Sequence, residues 1–472
     1  MNPTDLALMS AVEQARLVRS QGVTPLDLVQ VYLDRIQQLD AQLGSYVVVA
    51  AEQAIADAQA KTDQLLTTPA EELPPLFGVP ISIKDLNPVA GLPCAYGVRW
   101  SKGRMATTDD GVVQRIKAAG CVILGKTATS EAGILPYTEP DGFPPTRNPW
   151  NLAYTPGGSS GGAAAALAAG LCAIAQGSDG GGSVRGPAFC CGLVGIKPSR
   201  GRISYAPLGE RLGGIATNGP IARTVEDAAA LLDIMAGYEL GDPYWLATPE
   251  PSFQAVAQRG EPGKLRIGFT TAIAPVGEAQ GACRTAVLET AQRLEALGHT
   301  VFPVDLMDLT ELIEPFTIVF QSILNEAGIP EIFLGKMNRW FALRARFCSC
   351  GQYLRSLSKL QVIARQLVQQ FQTMDVLLLP TYMHPTIRLK EWARYRPAKT
   401  LEKIIDWIAP CPPFNASGQP AIALPTGLDS TGLPVGVQLV GQPAGEATLI
   451  ALAAQFEQAH PWTQRPDFAT QL

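Results

Sequence analysis

The chain has 472 residues, 47% of them hydrophobic and 17% charged, with a formal net charge of −5. That length allows one large or two to three ordinary domains, and the acidic balance supplies no basic field for nucleic acid. No window reaches 18 apolar residues; the best stretch, 163–175, is too short and too rich in Ala and Gly to span a membrane, so neither nucleic acid nor a bilayer is an expected partner.

Residues 1 to about 70 read as helices. Thr24 caps one of them, with Pro25 at its first position and Asp27 in its first turn. Leu26, Val29, Val31, Tyr32 and Ile36 follow at near-helical spacing. A second helix is expected over 50–66, then a polar, proline-bearing link over 67–75. In 77–85, Val79, Ile81 and Ile83 alternate like a half-buried strand that ends at Lys84. Residues 111–119 read as a helix and 121–125 as a short buried strand. Residues 163–175 read as one helix and a short strand of small apolar residues. This alternation through residue 200 predicts an α/β protein with a central mixed sheet.

Further on, Thr224 caps a helix to Met235. A strand over 264–269 and a helix over 283–297, ended by Gly298, form another βα unit. Residues 311–336 and 338–371 read as mostly helical, with Arg339, Arg344, Arg346, Arg355 and Arg365 on a solvated face. A buried strand is expected over 375–381. The N-terminus has no basic stretch leading into an apolar one, so no secretory signal is expected. The nine cysteines include no CxxC pair. Most of them are therefore expected as reduced core residues of a cytoplasmic protein, with no metal site.

Two glycine-rich turns dominate the middle of the chain: Gly157-Gly158-Ser159-Ser160-Gly161-Gly162 and Gly180-Gly181-Gly182-Ser183, the second following Asp179. A flexible linker would account for Gly and Ser, but linkers are not joined by an apolar helix. A phosphate cradle would need GxxxxGK[ST], or GxGxxG after a strand, and neither occurs here. Nucleophilic catalysis remains. Ser183 lies on a turn whose glycine N–H groups can converge on an oxyanion. A serine nucleophile needs a base, and the chain has three histidines, His299, His384 and His460, none near these turns in sequence. Folding could bring one close, and Lys84 is the alternative base.

GVPISIKD (78–85), PTRNPWN (145–151), PGGSSGGAAAALAAG (156–170) and GSDGGGSVRGPAFCCGLVGIKPSRGRIS (177–204) resemble the amidase signature family. So do PFNASGQPAI (413–422) and GLPVGVQLVG (432–441). The resemblance runs from the N-terminal helices to about Gly441, with the motifs in the family's order and spacing. It implies the amidase signature fold, a central mixed β-sheet with helices on both faces, in a single domain over 1–472. That domain would have a helical part at 1–70, a catalytic core at 75–225 and a substrate-shaping region at 240–410.

The resemblance also implies a Ser–cis-Ser–Lys triad, with Ser183 as nucleophile, Ser159 as the cis-serine and Lys84 as base. The oxyanion hole would be the N–H groups of Gly180, Gly181, Gly182 and Ser183, braced by Ser160, Asp179 and Arg185. Gly180 stands where the family usually has Thr or an aliphatic residue, which predicts a looser loop. Lysine must be neutral to serve, and lowering its pKa by about 3 units costs about 4 kcal/mol, which burial must supply.

The expected activity is hydrolysis of an amide C–N bond through an acyl-enzyme, with no cofactor and a possible homodimer. The family also contains the A subunit of glutamyl-tRNA amidotransferase. Thr129-Ser130-Glu131-Ala132-Gly133 and Asp141–Thr146 depart from that subunit's pattern. A non-catalytic binding protein of the same fold is disfavoured by the filled triad positions. Among the aromatic residues outside the motifs' catalytic positions (Trp340, Phe341, Tyr382, Trp407 and Phe414 with two others), Tyr137 and Phe143 are expected nearest the substrate, because they precede the first glycine-rich turn. No Arg or Lys cluster is visible beside them. The expected substrate is therefore a small, uncharged or weakly polar carboxamide, aliphatic, aryl or of aminohexanoate type, rather than glutamine.

Overall fold

A computed structural model of the chain describes residues 2–470, with the side chains of 469 and 470 excepted; Met1 and residues 471–472 of the expected domain span lie outside it. The strands in chain order are β1 (Tyr46–Val49), β2 (Pro80–Lys84), β3 (Val122–Thr127), β4 (Ile174–Asp179), β5 (Val194–Lys197), β6 (Thr217–Ala222) and β7 (Arg266–Phe269). They continue with β8 (Ala272–Ile273), β9 (Gly277–Glu278), β10 (Thr300–Pro303), β11 (Val376–Pro380), β12 (Ala421–Leu428) and β13 (Pro434–Gly441). Eleven of them form one sheet in the order β1-β3-β2-β4-β6-β5-β12-β13-β11-β7-β10, and β8 and β9 form a separate ribbon. Pairing is parallel at β2–β3, β2–β4, β7–β10 and β7–β11, and antiparallel elsewhere in the sheet. The sheet is therefore mixed, as expected.

Successive residues of a strand point to opposite faces, yet every residue of β2, β3, β5, β6, β11 and β13 is buried. Both faces of the sheet are thus covered by helices. This corrects the half-buried reading of residues 79–83. The alternation of Val79, Ile81 and Ile83 with Pro80 and Ser82 reflects no solvent face, because helices close over both faces of the sheet where β2 lies.

The helix expected after Thr24 spans Pro25–Leu43. The Thr24 hydroxyl accepts the Asp27 N–H, and the Asp27 carboxylate accepts the Thr24 N–H at 2.9 Å. These reciprocal bonds satisfy donors that the first turn cannot. Leu28, Val29, Tyr32, Ile36 and Leu39 turn inward, and Gly44 ends the helix at φ +62°. The Thr224 hydroxyl caps Val225–Met235 by accepting the Asp227 N–H, without the reciprocal bond.

The mostly helical stretch expected over 311–336 is divided by a turn. Thr310–Gln321 and Ile323–Glu326 are helical, and the chain then turns at Gly328 (φ +61°) and Pro330 before Lys336–Arg346. Glycine reaches that left-handed geometry freely, and proline cannot continue a helix. The stretch 338–371 is likewise two helices, Lys336–Arg346 and Cys350–Gln369; the second is capped by Ser349. The five arginines on them are exposed. Seven of the nine cysteines are buried and all are free. Among the described residues, no helix is long and apolar enough to cross a membrane.

Candidate active site

The parallel strands β2 and β4 run side by side, with Ile83 opposite Gln176. Their C-terminal ends carry Lys84 and Ser178–Asp179. Lys84 is fully buried, and its ammonium nitrogen lies 2.7 Å from Ser159 Oγ and 2.9 Å from Ser178 Oγ. Burial lowers its pKa from 10.5 to about 7, although Asp179 opposes the shift. Most of the charged form's hydration has been replaced by two hydroxyls, so neutral lysine is accessible near neutrality.

The Gly158–Ser159 peptide is cis. Ser160 begins the helix Gly161–Ala168, and its hydroxyl donates to Ser178 O and accepts from Ser178 N. The Ser160 N–H donates to Ser183 O. Ser160 thereby ties the first glycine-rich turn both to the end of β4 and to the second turn.

Asp179 organises that second turn. Its carboxylate accepts the N–H groups of Gly182 at 2.7 Å, Val184 at 3.1 Å and Arg185 at 3.4 Å. Arg185 pairs with both of its oxygens, and both side chains are fully buried. Burial alone would raise the Asp179 pKa. The charge and hydrogen bonds of Arg185, with the bond from Asn415, outweigh it and hold the carboxyl well below the usual range. Asp179 in turn outweighs the burial of Arg185 and raises the guanidinium pKa. Asn415 Nδ2 donates to Asp179, and Arg185 donates to Gln438 Oε1 and Asn415 Oδ1.

Two expectations about this turn change. The Gly182 N–H is committed to Asp179, which takes it out of the set of N–H groups expected to face an oxyanion. Nor are the hydrogen bonds those of a loose loop. A Cβ at Gly180 would lie 3.1 Å from the Phe320 ring, so the missing side chain makes room for an aromatic wall.

Ser183 is 8% exposed, and its hydroxyl has no partner among the described residues. It lines an apolar cavity of about 110 Å³ together with Gly158 and Gly181; Phe316, Phe320 and Ile404 are prominent in the wall. Ser159, Ser178 and Gly180 line a second cavity of about 330 Å³ with Asn87, Asp110 and Arg211. Ile134 and Phe320 border both. None of the three histidines lines either cavity; His299 is held between the Leu265 N–H and Gln455. Among the described residues, no group of His, Cys, Asp and Glu could hold a metal ion.

Tyr137 and Phe143 are not brought to Ser183. They line a separate cavity of about 370 Å³ with Glu131, Glu139, Lys336 and Lys390. Tyr137 packs edge-on against Trp392, and Lys102 lies over the Phe143 ring. Lysines absent from the local sequence arrive there from distant segments. Of the other aromatic residues weighed, Phe341 does line the apolar cavity. Tyr382, Trp407 and Phe414 are core residues.

Sequence reasoning missed Ser178, Asn415, Gln438, Phe316 and Phe320. Asn415 and Gln438 lie inside family-like stretches, but nothing local assigns them to Arg185. Phe316 and Phe320 sit four residues apart on one helix, a pattern that reads equally well as ordinary core.

The family model described as Amidase matches residues 27–450. The 6-aminohexanoate-cyclic-dimer hydrolase of Paenarthrobacter ureafaciens is 35% identical over 98% of this chain and 97% of its own length. A Synechocystis sp. relative with a provisional amidase name is 51% identical over 96% of this chain and 89% of its own. Among solved structures, a 6-aminohexanoate cyclic dimer hydrolase superposes with a TM-score of 0.91 at 32% identity, covering 98% of this chain and 99% of that one. A bacterial aryl acylamidase does so with 0.89 at 27%, with the same coverage. The chain belongs to the amidase signature family. It is an amidase, a hydrolase acting on carbon–nitrogen bonds.

Proposed function

We propose that this amidase hydrolyses a neutral aliphatic or aryl carboxamide through Ser183 as nucleophile, relayed by Ser159 to Lys84, with an acyl-enzyme intermediate. The observation that carries the reading is the 2.7 Å contact of Lys84 Nζ with Ser159 Oγ, made by a buried lysine whose pKa lies near 7. Neutral Lys84 takes the Ser159 proton while Ser159 takes that of Ser183. The Ser183 oxygen attacks the carbonyl carbon, and the N–H groups of Gly180, Gly181 and Ser183 receive the developing oxyanion. Collapse expels the nitrogen, protonated through Ser159, and leaves the acyl group on Ser183. Water then repeats the cycle and releases the acid. The Ser183 hydroxyl closes on Ser159 once substrate is bound, as catalytic hydrogen bonds commonly do.

The two cavities divide the substrate. The acyl part extends from Ser183 into the apolar cavity. The leaving nitrogen lies on the Ser159 side, where the wall is polar. A small-molecule amide such as those named for the relatives suits this division.

The test is mass spectrometry of the protein quenched during turnover of a slow ester. The acyl mass is expected on the peptide containing Ser183, and Ser183→Ala is expected to lose kcat about a hundredfold or more. An acyl group on any other residue, or near-wild-type turnover by the variant, overturns the assignment.

A further inference from the structure

The cavity on the Ser159 side carries positive charge that the chain itself does not use. Arg211, from the loop between β5 and β6, lines it together with Ser159 and Gly180. Arg211 is half-buried, yet its guanidinium makes no hydrogen bond and no ion pair among the described residues. By contrast Arg200, in the same loop, donates to the carbonyl oxygens of Gly214 and Ala416. Burial raises the pKa values of Tyr96, Asp110 and Tyr205, and the charge of Arg211 opposes the rise in all three. All three line this cavity, which sets the guanidinium at its wall. Asp110 is the one carboxylate among the lining residues, and it accepts the Asn87 side-chain N–H at 3.0 Å. Arg104 stands exposed on the same wall, its side chain likewise without an ion pair. The wall thus holds two guanidiniums against one carboxylate. A guanidinium presents five donors in a fixed fork that matches a carboxylate, and a cleft lined by one sign of charge concentrates ligands of the other.

Resting on the amidase reading, which puts the leaving nitrogen on this side, we propose that Arg211 binds a carboxylate carried by the amine half of the substrate. The substrate class is then an N-acyl amino acid. Its apolar acyl group fills the cavity beside Ser183, and its carboxylate meets Arg211 beyond Ser159. The acyl half stays neutral, as in that reading, and the charge belongs to the amine half alone. Leu86, Trp100, Leu208 and Ile329 supply apolar surface for the carbon atoms between nitrogen and carboxylate. Hydrolysis adds one water across the C–N bond and yields a carboxylic acid and a free amino acid, the nitrogen taking up the proton. Glutamine fits this division poorly. Its carboxylate would enter the acyl cavity, whose wall has no cation, and would be desolvated there without compensation. Its leaving group, ammonia, would give Arg211 nothing to bind.

The experiment compares kcat/KM for hexanoyl-β-alanine and hexanoyl-β-alaninamide in wild type, Arg211→Gln and Arg211→Glu. The two amides differ only in ending the amine half with a carboxylate or a carboxamide. The wild type is expected to favour the carboxylate by about tenfold or more, and the preference is expected to shrink as salt is added. Arg211→Gln is expected to bring the ratio to about one or below. Arg211→Glu is expected to turn preference toward hexanoyl-ethylenediamine, whose amine half ends in an ammonium, a reversal that a purely structural Arg211 would not produce. A wild-type ratio near one, or a ratio that survives Arg211→Gln, overturns the proposal. So does a stronger preference for N-propylsuccinamic acid, which carries its carboxylate on the acyl half. Failure of the amidase reading itself looks different, because the wild type would then cleave none of these amides.

Discussion

Lys84 owes its lowered pKa to where β2 puts it. Solvent cannot reach it, its partners are the Ser159 and Ser178 hydroxyls and the Ser178 carbonyl, and Asp179, whose charge opposes the shift, is paired with Arg185. With a pKa of about 7, kcat/KM should rise with pH and level off above 8, and at pH 6 it should lie about tenfold below the plateau. A profile rising with a pKa near 10 would show that lysine is not deprotonated in this range. Lys84→Arg should not restore activity, because guanidinium does not give up its proton under these conditions. At Asp179 the effect is on stability as well as rate. Asp179→Asn leaves a buried guanidinium without a counter-charge, which costs roughly 3–5 kcal/mol. Urea midpoints of the variant against wild type measure this, and an unchanged midpoint would mean that Arg185 finds other compensation.

At the scale of the element, the second glycine-rich turn and the helix Arg185–Cys191 are fitted to their neighbours by missing side chains. Gly182 adopts φ +119°, a conformation that side chains disfavour. A Cβ at Gly186 would lie 1.7 Å from the Tyr382 hydroxyl oxygen. Gly186→Ala is therefore expected to lose about 1–3 kcal/mol through overpacking and to lower activity by tilting the helix that follows Ser183; thermal denaturation alongside turnover checks both. The Thr24 cap is a milder case. Thr24→Ala should cost about 1 kcal/mol and leave turnover untouched, since the cap only starts the helix Pro25–Leu43.

For the whole molecule, burial of lysine has a consequence for stability. Lys84 and Lys197 both have folded pKa values near 7 against 10.5 when exposed, in each case through burial first. Between pH 7 and 10.5 the unfolded chain therefore holds more protons at these sites, and their contribution makes stability increase with pH across that window. Lys84→Met should flatten part of that slope, as seen in urea midpoints at pH 7.5 and 9.5; Lys197 keeps the remainder. Substrate choice also belongs to this scale, because the apolar cavity draws its wall from residues 134–136, 273–276, 309–321 and 401–413. An alkyl or aryl amide should exceed glutamine in kcat/KM by at least tenfold, about 1.4 kcal/mol of transition-state preference. Glutamine winning by that margin would instead favour a transamidase.

Much of this molecule was legible in the residues. The Thr24 and Thr224 caps, the strand ending at Lys84 and the two glycine-rich turns follow from local chemistry: a capping hydroxyl, an apolar run and glycine's conformational range each act over a few residues. The family-like motifs likewise named Lys84, Ser159, Ser160, Asp179, Ser183 and Arg185, because a glycine-rich turn keeps its neighbours at fixed sequence distance. The tertiary structure decided what depends on segments meeting from far apart. It buried β2 on both faces by closing helices over the sheet, and it brought Asn415 and Gln438 to Arg185. It committed the Gly182 N–H to Asp179. It also took Tyr137 and Phe143 away from Ser183 and set Phe316 and Phe320 against the second glycine-rich turn instead. Sequence proximity to a turn says little about which way a bulky side chain finally faces, since that is settled by the surfaces that close over it.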